Sequence, residues 1–146
     1  MRRFGGGLLF VAIACGVAAA ADGYDPDLAA ARIATILAGL GDDRLQSAHK
    51  VFTGVTIAPT TSAERYLRIM DEGFAKSLGV DCIHCHDPQN WARDAQRKFA
   101  ITRGMWDMVY RINQDHLRKI EGIDRKARIN CTTCHRGRTT PAVTMD

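Results

Sequence analysis

Apolar positions recur at helical spacing in three stretches of the chain, separated by irregular runs. The clearest stretch carries Tyr66, Met70, Phe74 and Leu78, one residue in every four, which places all four on one helix face. Thr61 and Glu64 stand ahead of it at capping-box spacing and Gly79 follows as a stop, so a helix is predicted from about 61 to 78. A longer helix is predicted over 96–120. Its apolar stripe is Phe99, Met105, Met108, Val109, Ile112 and Leu117, and Gly122 lies just beyond it. An Ala/Ile/Leu-rich segment from Asp27 to Leu40 reads as a third helix, opened by Pro26 and closed by Gly39 or Gly41. Its apolar residues Leu28, Ala31, Ile36 and Leu40 follow helical spacing only roughly, which suits either a packing helix or a mobile arm. Residues 42–59 are irregular, with Val51, Phe52 and Val55 as a short extended piece. A basic loop spans 124–128, and 136–146 reads as coil. The pattern predicts an all-α, loop-rich fold with little sheet.

The first 21 residues have a different character. Arg2 and Arg3 precede a mostly apolar run from Leu8 to Val17, and Ala18 to Ala21 offer small-residue cleavage positions. This is the pattern of an export signal, and it predicts a periplasmic protein. Two alternatives remain: an uncleaved anchor, for which the segment is short and glycine-rich, or lipidation of Cys15 after a poor lipobox. The predicted organisation is signal peptide 1–21, N-terminal helical segment 22–47, a main domain over 48–140 and a tail over 141–146.

Composition changes this picture little. The 146 residues amount to one domain, 46% hydrophobic and 25% charged, as in ordinary globular proteins. The formal net charge is +4, and without Arg2 and Arg3 the balance is 18 basic against 16 acidic residues. No basic run marks a nucleic-acid surface.

The decisive chemistry is a repeated pentapeptide. Cys82-Ile83-His84-Cys85-His86 and Cys131-Thr132-Thr133-Cys134-His135 both read C-x-x-C-H, the attachment motif of c-type haem. In that chemistry two thiols add across the haem vinyl groups, and the next residue, His86 or His135, ligates iron. Two competing readings use only the cysteines. A four-thiolate zinc site leaves the histidine after each pair unexplained, and a disulfide framework does the same. Two haem c groups are therefore expected, bound through Cys82, Cys85, Cys131 and Cys134. The arrangement repeats: a Met-bearing helix, a loop, then the motif, with Met70 twelve residues before Cys82 and Met105 twenty-six before Cys131.

Each iron then needs a distal partner. A histidine lowers its potential, a methionine raises it, and an open position permits small-molecule chemistry. The spare candidates are His49, His84, His116, Met70, Met105, Met108 and Met145. Met70 suits the first haem, because it lies on an apolar face of the helix leading to Cys82; its ordinary alternative is core packing. Met105 and Met108 are not separated by periodicity, and His116 on the same helix is a rival. His84 and His49 read as surface residues.

Residues from about Val51 to Gly137 resemble the cytochrome subunit of photosynthetic reaction centres. The matching stretches are Val51-Phe52, Met70, Leu78 to Cys82, Cys85-His86, Met105 to Val109, Arg111-Ile112-Asn113 and Cys131 to Gly137. The resemblance implies a multihaem cytochrome c fold, with Met70 on the first iron, Met105 on the second and Met108 in the core. It also has departures. The family's subunit carries four haems in two halves, and this chain matches one half. A late-helix histidine that reaches across to the other half falls on Lys119, with His116 one turn earlier.

These readings converge on a carrier of single electrons between redox proteins, such as a reaction centre or a membrane electron-transfer complex. No nucleic acid or small-molecule substrate is expected. The competing class is a small dihaem reductase, peroxidase or haem-based sensor with one open iron, for which His116 is the obvious acid–base group.

Overall fold

The computed structural model describes residues 23–92, 97–141 and 143–144. The expected export segment, Cys15 and Met145 lie outside the described residues. The fold is all-α and loop-rich, and among the described residues the only β pairing is two isolated bridges. The elements are α1 (Pro26–Leu40), α2 (Ala48–Val51), α3 (Ala63–Arg68), α4 (Lys76–Leu78), α5 (Arg97–Arg111) and α6 (Cys131–His135).

α1 begins where the pattern places it. The Asp25 carboxylate accepts from the Asp27 and Leu28 amides, with Pro26 in the first turn. The helix is packed rather than loose. Arg32 forms an ion pair with Asp81, just ahead of the first motif, and the Tyr24 amide donates to the Gly79 carbonyl at 3.2 Å. With side chains 26% and 9% exposed, that ion pair is partly withdrawn from water. Arg32→Ala should cost roughly 1–3 kcal/mol and raise hydrogen exchange along residues 26–40 before the rest of the chain. Unchanged exchange there would show that other contacts hold α1. Burial, reinforced by a hydrogen bond to Asp71, pushes the Tyr24 phenol up to about 12. A raised pKa favours the protonated form in the fold, so this contribution is whole below pH ~10 and fades as pH rises through about 12. Tyr24→Phe should flatten that alkaline decline in a pH series of denaturation curves.

Of the short extended piece expected at Val51, Phe52 and Val55, Val51 instead closes the short α2 while Phe52 is extended, and a 3-10 turn (Gly41–Leu45) lies ahead of them. Residues 46–49 pair with 59–63 through Ala48 N to Thr61 O at 2.7 Å and Ala63 N to Gln46 O at 2.8 Å. That pairing closes a loop over 50–58. The helix after it starts one residue later than capping-box spacing suggests. Ser62 is the cap, accepting from Arg65 N at 3.3 Å, and Glu64 pairs with Arg68 instead. Thr61 is occupied through its backbone carbonyl, which removes it from capping.

Both long helices contain π turns. α3 continues through a π segment, Ile69–Ala75, into α4. α5 continues through a second, Ile112–His116, into a 3-10 turn at Leu117–Lys119. Such insertions are frequent at functional positions. α4 stops at Gly79, in the left-handed conformation at φ 68°. Gly79 also packs on Gly137, which follows the second motif: a Cβ built at Gly79 falls 2.0 Å from the Gly137 oxygen. The Gly137 amide donates to Ser77 O at 2.9 Å, and the Ser77 hydroxyl meets Thr132 Oγ1 at 2.6 Å. The end of the first helical unit is thereby fastened to the second motif.

The buried apolar residues are small or medium, chiefly Ala29, Ala48, Ala63, Ala75, Ile57 and Val80. The larger apolar side chains line cavities. Met108, expected in the core, is 41% exposed because its part of α5 faces outward.

Candidate functional site

The four-residue stripe from α3 through the π segment to α4 acts as a unit: Tyr66, Met70, Phe74 and Leu78 line one cavity. The same cavity is lined by Cys82, Cys85 and His86. A neighbouring hollow shares Tyr66, Met70, Cys82 and His86 with it. Ile33 and Ile36 of α1, with Phe52 from the closed loop, cover that side. Every residue assigned by sequence to the first site is therefore assembled at one place.

The first motif is a 3-10 turn, Cys82–His84, capped by the Asp81 side chain. Beyond it the chain turns back at Asp87, and the Trp91 carbonyl accepts from His86 Nδ1 at 2.8 Å. The His86 ring also packs against Phe99 edge-on, with centroids 5.1 Å apart. This fixes the ring and its tautomer: Nδ1 carries the proton, and Nε2 keeps a lone pair for a metal.

The second site has the same logic on a different scaffold. α6 is the motif itself. Asn130 and Thr133 form a reciprocal capping box, with both N···O distances 3.0 Å. His135 is buried, and its Nδ1 donates to the Arg138 carbonyl at 2.9 Å. One open cavity is lined by Cys131, His135 and Met105. Cys134 is exposed and lies outside that lining. Asn113, nearly buried, fastens the approach to the motif by donating to Ile129 O and accepting from Ile129 N, both at 2.9 Å. Asn113→Ala strands both Ile129 groups and should cost about 2 kcal/mol, read as a lowered denaturation midpoint. A loss below ~0.5 kcal/mol would mean that water replaces the side chain.

The rival distal ligands fare differently. His116 and His49 are exposed and line neither cavity, and the His49 ring nitrogen Nδ1 contacts Pro59 O at 2.8 Å. His84 lines the second cavity from the first motif. Met108 lines neither cavity.

These residues fit haem c. Each hollow pairs a thiol-bearing motif with an oriented histidine and a thioether. Burial pushes the Cys82, Cys85 and Cys131 thiols up, so they stay as S–H at neutral pH; the nearby Arg32 guanidinium partly opposes this at Cys82. Among the described residues no three His, Cys, Asp or Glu side chains converge on a point, which a closed zinc site needs. The donors are instead spread around wide apolar hollows. All four thiols are unpaired.

Several contributors were not singled out from the sequence. Arg32, Asp81, Trp91, Ile33 and Ile36 act at the first site, and Asn130 and the Arg138 carbonyl at the second. Asn130 with Thr133 carries a local signal, the N-x-x-T capping spacing, and Asp81 another, a capping residue directly ahead of the first motif. The others act through backbone carbonyls or across long sequence separations.

Comparison with known proteins bears on the same residues. Over 60 residues, 41% of this chain, the sequence is 33% identical to the photosynthetic reaction center cytochrome c subunit of Thermochromatium tepidum, covering 14% of that protein. The family described as the photosynthetic reaction centre cytochrome C subunit matches residues 23–145, from just before α1 to the tail. With that match over most of its length, the chain belongs to the photosynthetic reaction centre cytochrome c subunit family.

Proposed function

We propose that this protein is an exported dihaem cytochrome c that passes single electrons between redox proteins in the periplasm. Family membership supports haem c and electron transfer. The observation that carries the dihaem reading is that each of two cavities gathers the histidine and at least one thiol of a C-x-x-C-H motif together with one helix methionine. Haem, when bound, supplies the one-electron iron chemistry.

The chain's own residues do the rest. Cys82 and Cys85 hold the first group, and Cys131 and Cys134 the second. His86 and His135 present Nε2, held in that tautomer by the Trp91 and Arg138 carbonyls. Met70 and Met105 supply the distal sulfur, which raises potential and fills the position a substrate would need. Ile33, Ile36 and Phe52 exclude water from the first site. No proton has to move, so no acid–base residue is required. The partners are redox proteins that dock briefly, a reaction centre or a membrane complex among them. The signal-like 1–21 segment supports export, with 22–47 as a cover and 48–140 as the haem-bearing domain. Among the described residues no helix is long and apolar enough to cross a membrane.

The test is a potentiometric titration of the haem-loaded protein, followed in the visible and near-infrared, beside its mass. Two added haems and two high-potential waves with a sulfur-to-iron band are expected. One haem, or a high-spin centre that binds carbon monoxide, would replace this reading with an enzyme or sensor.

A further inference from the structure

We propose that the two cofactor sites share a wall one side chain thick, and that Phe74 is its positioning residue. The inference rests on the two-haem reading and adds how the sites act on each other. Phe74, Leu78, Cys85 and Thr102 line the first cavity and the second alike. The wall is drawn from three elements: the π segment with α4, the first motif, and α5.

Phe74 is the wall residue that also reaches the second methionine-bearing helix. It lies four residues after Met70, on the same face. Its ring packs on Trp106, with centroids 6.0 Å apart and planes at 47°, and Trp106 adjoins Met105. One aromatic contact therefore spaces the two methionine-bearing helices. The arrangement is also unequal. The first motif contributes His84 and Cys85 to the second cavity, whereas no residue of the second motif lines the first.

An electron passing between the sites raises the charge on one side of the wall by one and lowers it on the other by one. No bond is made or broken. Phenyl and isobutyl groups screen such charges weakly, so the state of one site shifts the potential of the other. A side chain that admits water into the wall weakens that interaction.

Two variants test this, with haem content and far-ultraviolet circular dichroism as controls. Phe74→Ala should reduce the redox interaction between the two waves by at least half and slow internal electron equilibration after pulse radiolysis by about tenfold. Phe74→Leu should restore both. Thr102→Asp places a carboxylate in the wall and should lower both potentials comparably, and it serves if Phe74→Ala does not fold. Ile101→Asp, which lines the second cavity alone, should lower one. If Thr102→Asp moves a single potential, or Phe74→Ala leaves the interaction unchanged, the shared wall is wrong. If the wild-type protein lacks two waves with the sulfur-to-iron band, the two-haem reading has failed instead.

Discussion

Gly79→Ala is expected to lower the stability of the haem-loaded protein by roughly 4 kcal/mol or to prevent its folding, the range reserved for severe backbone conflicts. Two effects add. At φ 68° any Cβ is strained, by about 1–2 kcal/mol. The new methyl would also lie 2.0 Å from the Gly137 oxygen and 2.8 Å from its carbonyl carbon. Those are backbone atoms, held by the hydrogen bond from the Gly137 amide to the Ser77 carbonyl, not the far end of a flexible side chain. Gly137→Ala separates the terms. It shares the positive φ, at 79°, but its Cβ meets nothing within 4 Å. It should lose only the strain term. Chemical denaturation of both variants decides the matter: equal losses would mean that the close approach contributes nothing.

Met70→Ala should lower the potential of one haem by on the order of 0.1 V or more, within the roughly 0.8 V that axial ligation spans. The other wave should stay near its place. Met105→Ala should do the same to the second wave. Each variant should lose half of the near-infrared sulfur-to-iron band. Met108→Ala is the control, since Met108 is exposed and lines neither cavity. A potential drop in Met108→Ala with none in Met105→Ala would shift the ligand by one turn of α5. Equal drops at both waves from one substitution would reject separate ligation.

The helices and the site were legible to different depths. The stripe Tyr66 to Leu78 was readable because an apolar face repeats with the helix, and all four residues line one cavity. The motif residues were readable because covalent chemistry fixes their spacing. What escaped depends on distance along the chain. Arg32 meets Asp81 across 49 residues, and Asn113 meets Ile129 across 16, with no local pattern to mark either. The histidine clamps use carbonyls of Trp91 and Arg138, and any residue type offers a carbonyl. The cap moved from Thr61 to Ser62 because two adjacent hydroxyls compete and the backbone of Thr61 is engaged with Ala48. Met108 misled because a stripe drawn over 96–120 is wider than the face α5 buries.

The π turns bear on how this chain tolerates insertions and deletions. Met70 lies inside one, only twelve residues before Cys82. A π turn holds one residue more than the α turn it replaces. Deleting a residue between 71 and 75 would return the helix to α geometry at little backbone expense. Because the turn loses its extra residue and its extra width together, everything beyond it would keep nearly the same phase relative to Met70. The thioether and the Cys82–His86 turn would still address the same side of the helix. A deletion in the α-helical turn at Lys76–Leu78 has no such slack and would swing the motif by about 100° away from Met70. The π segment is therefore the one stretch between ligand and motif that can change length without changing the reading frame for the metal.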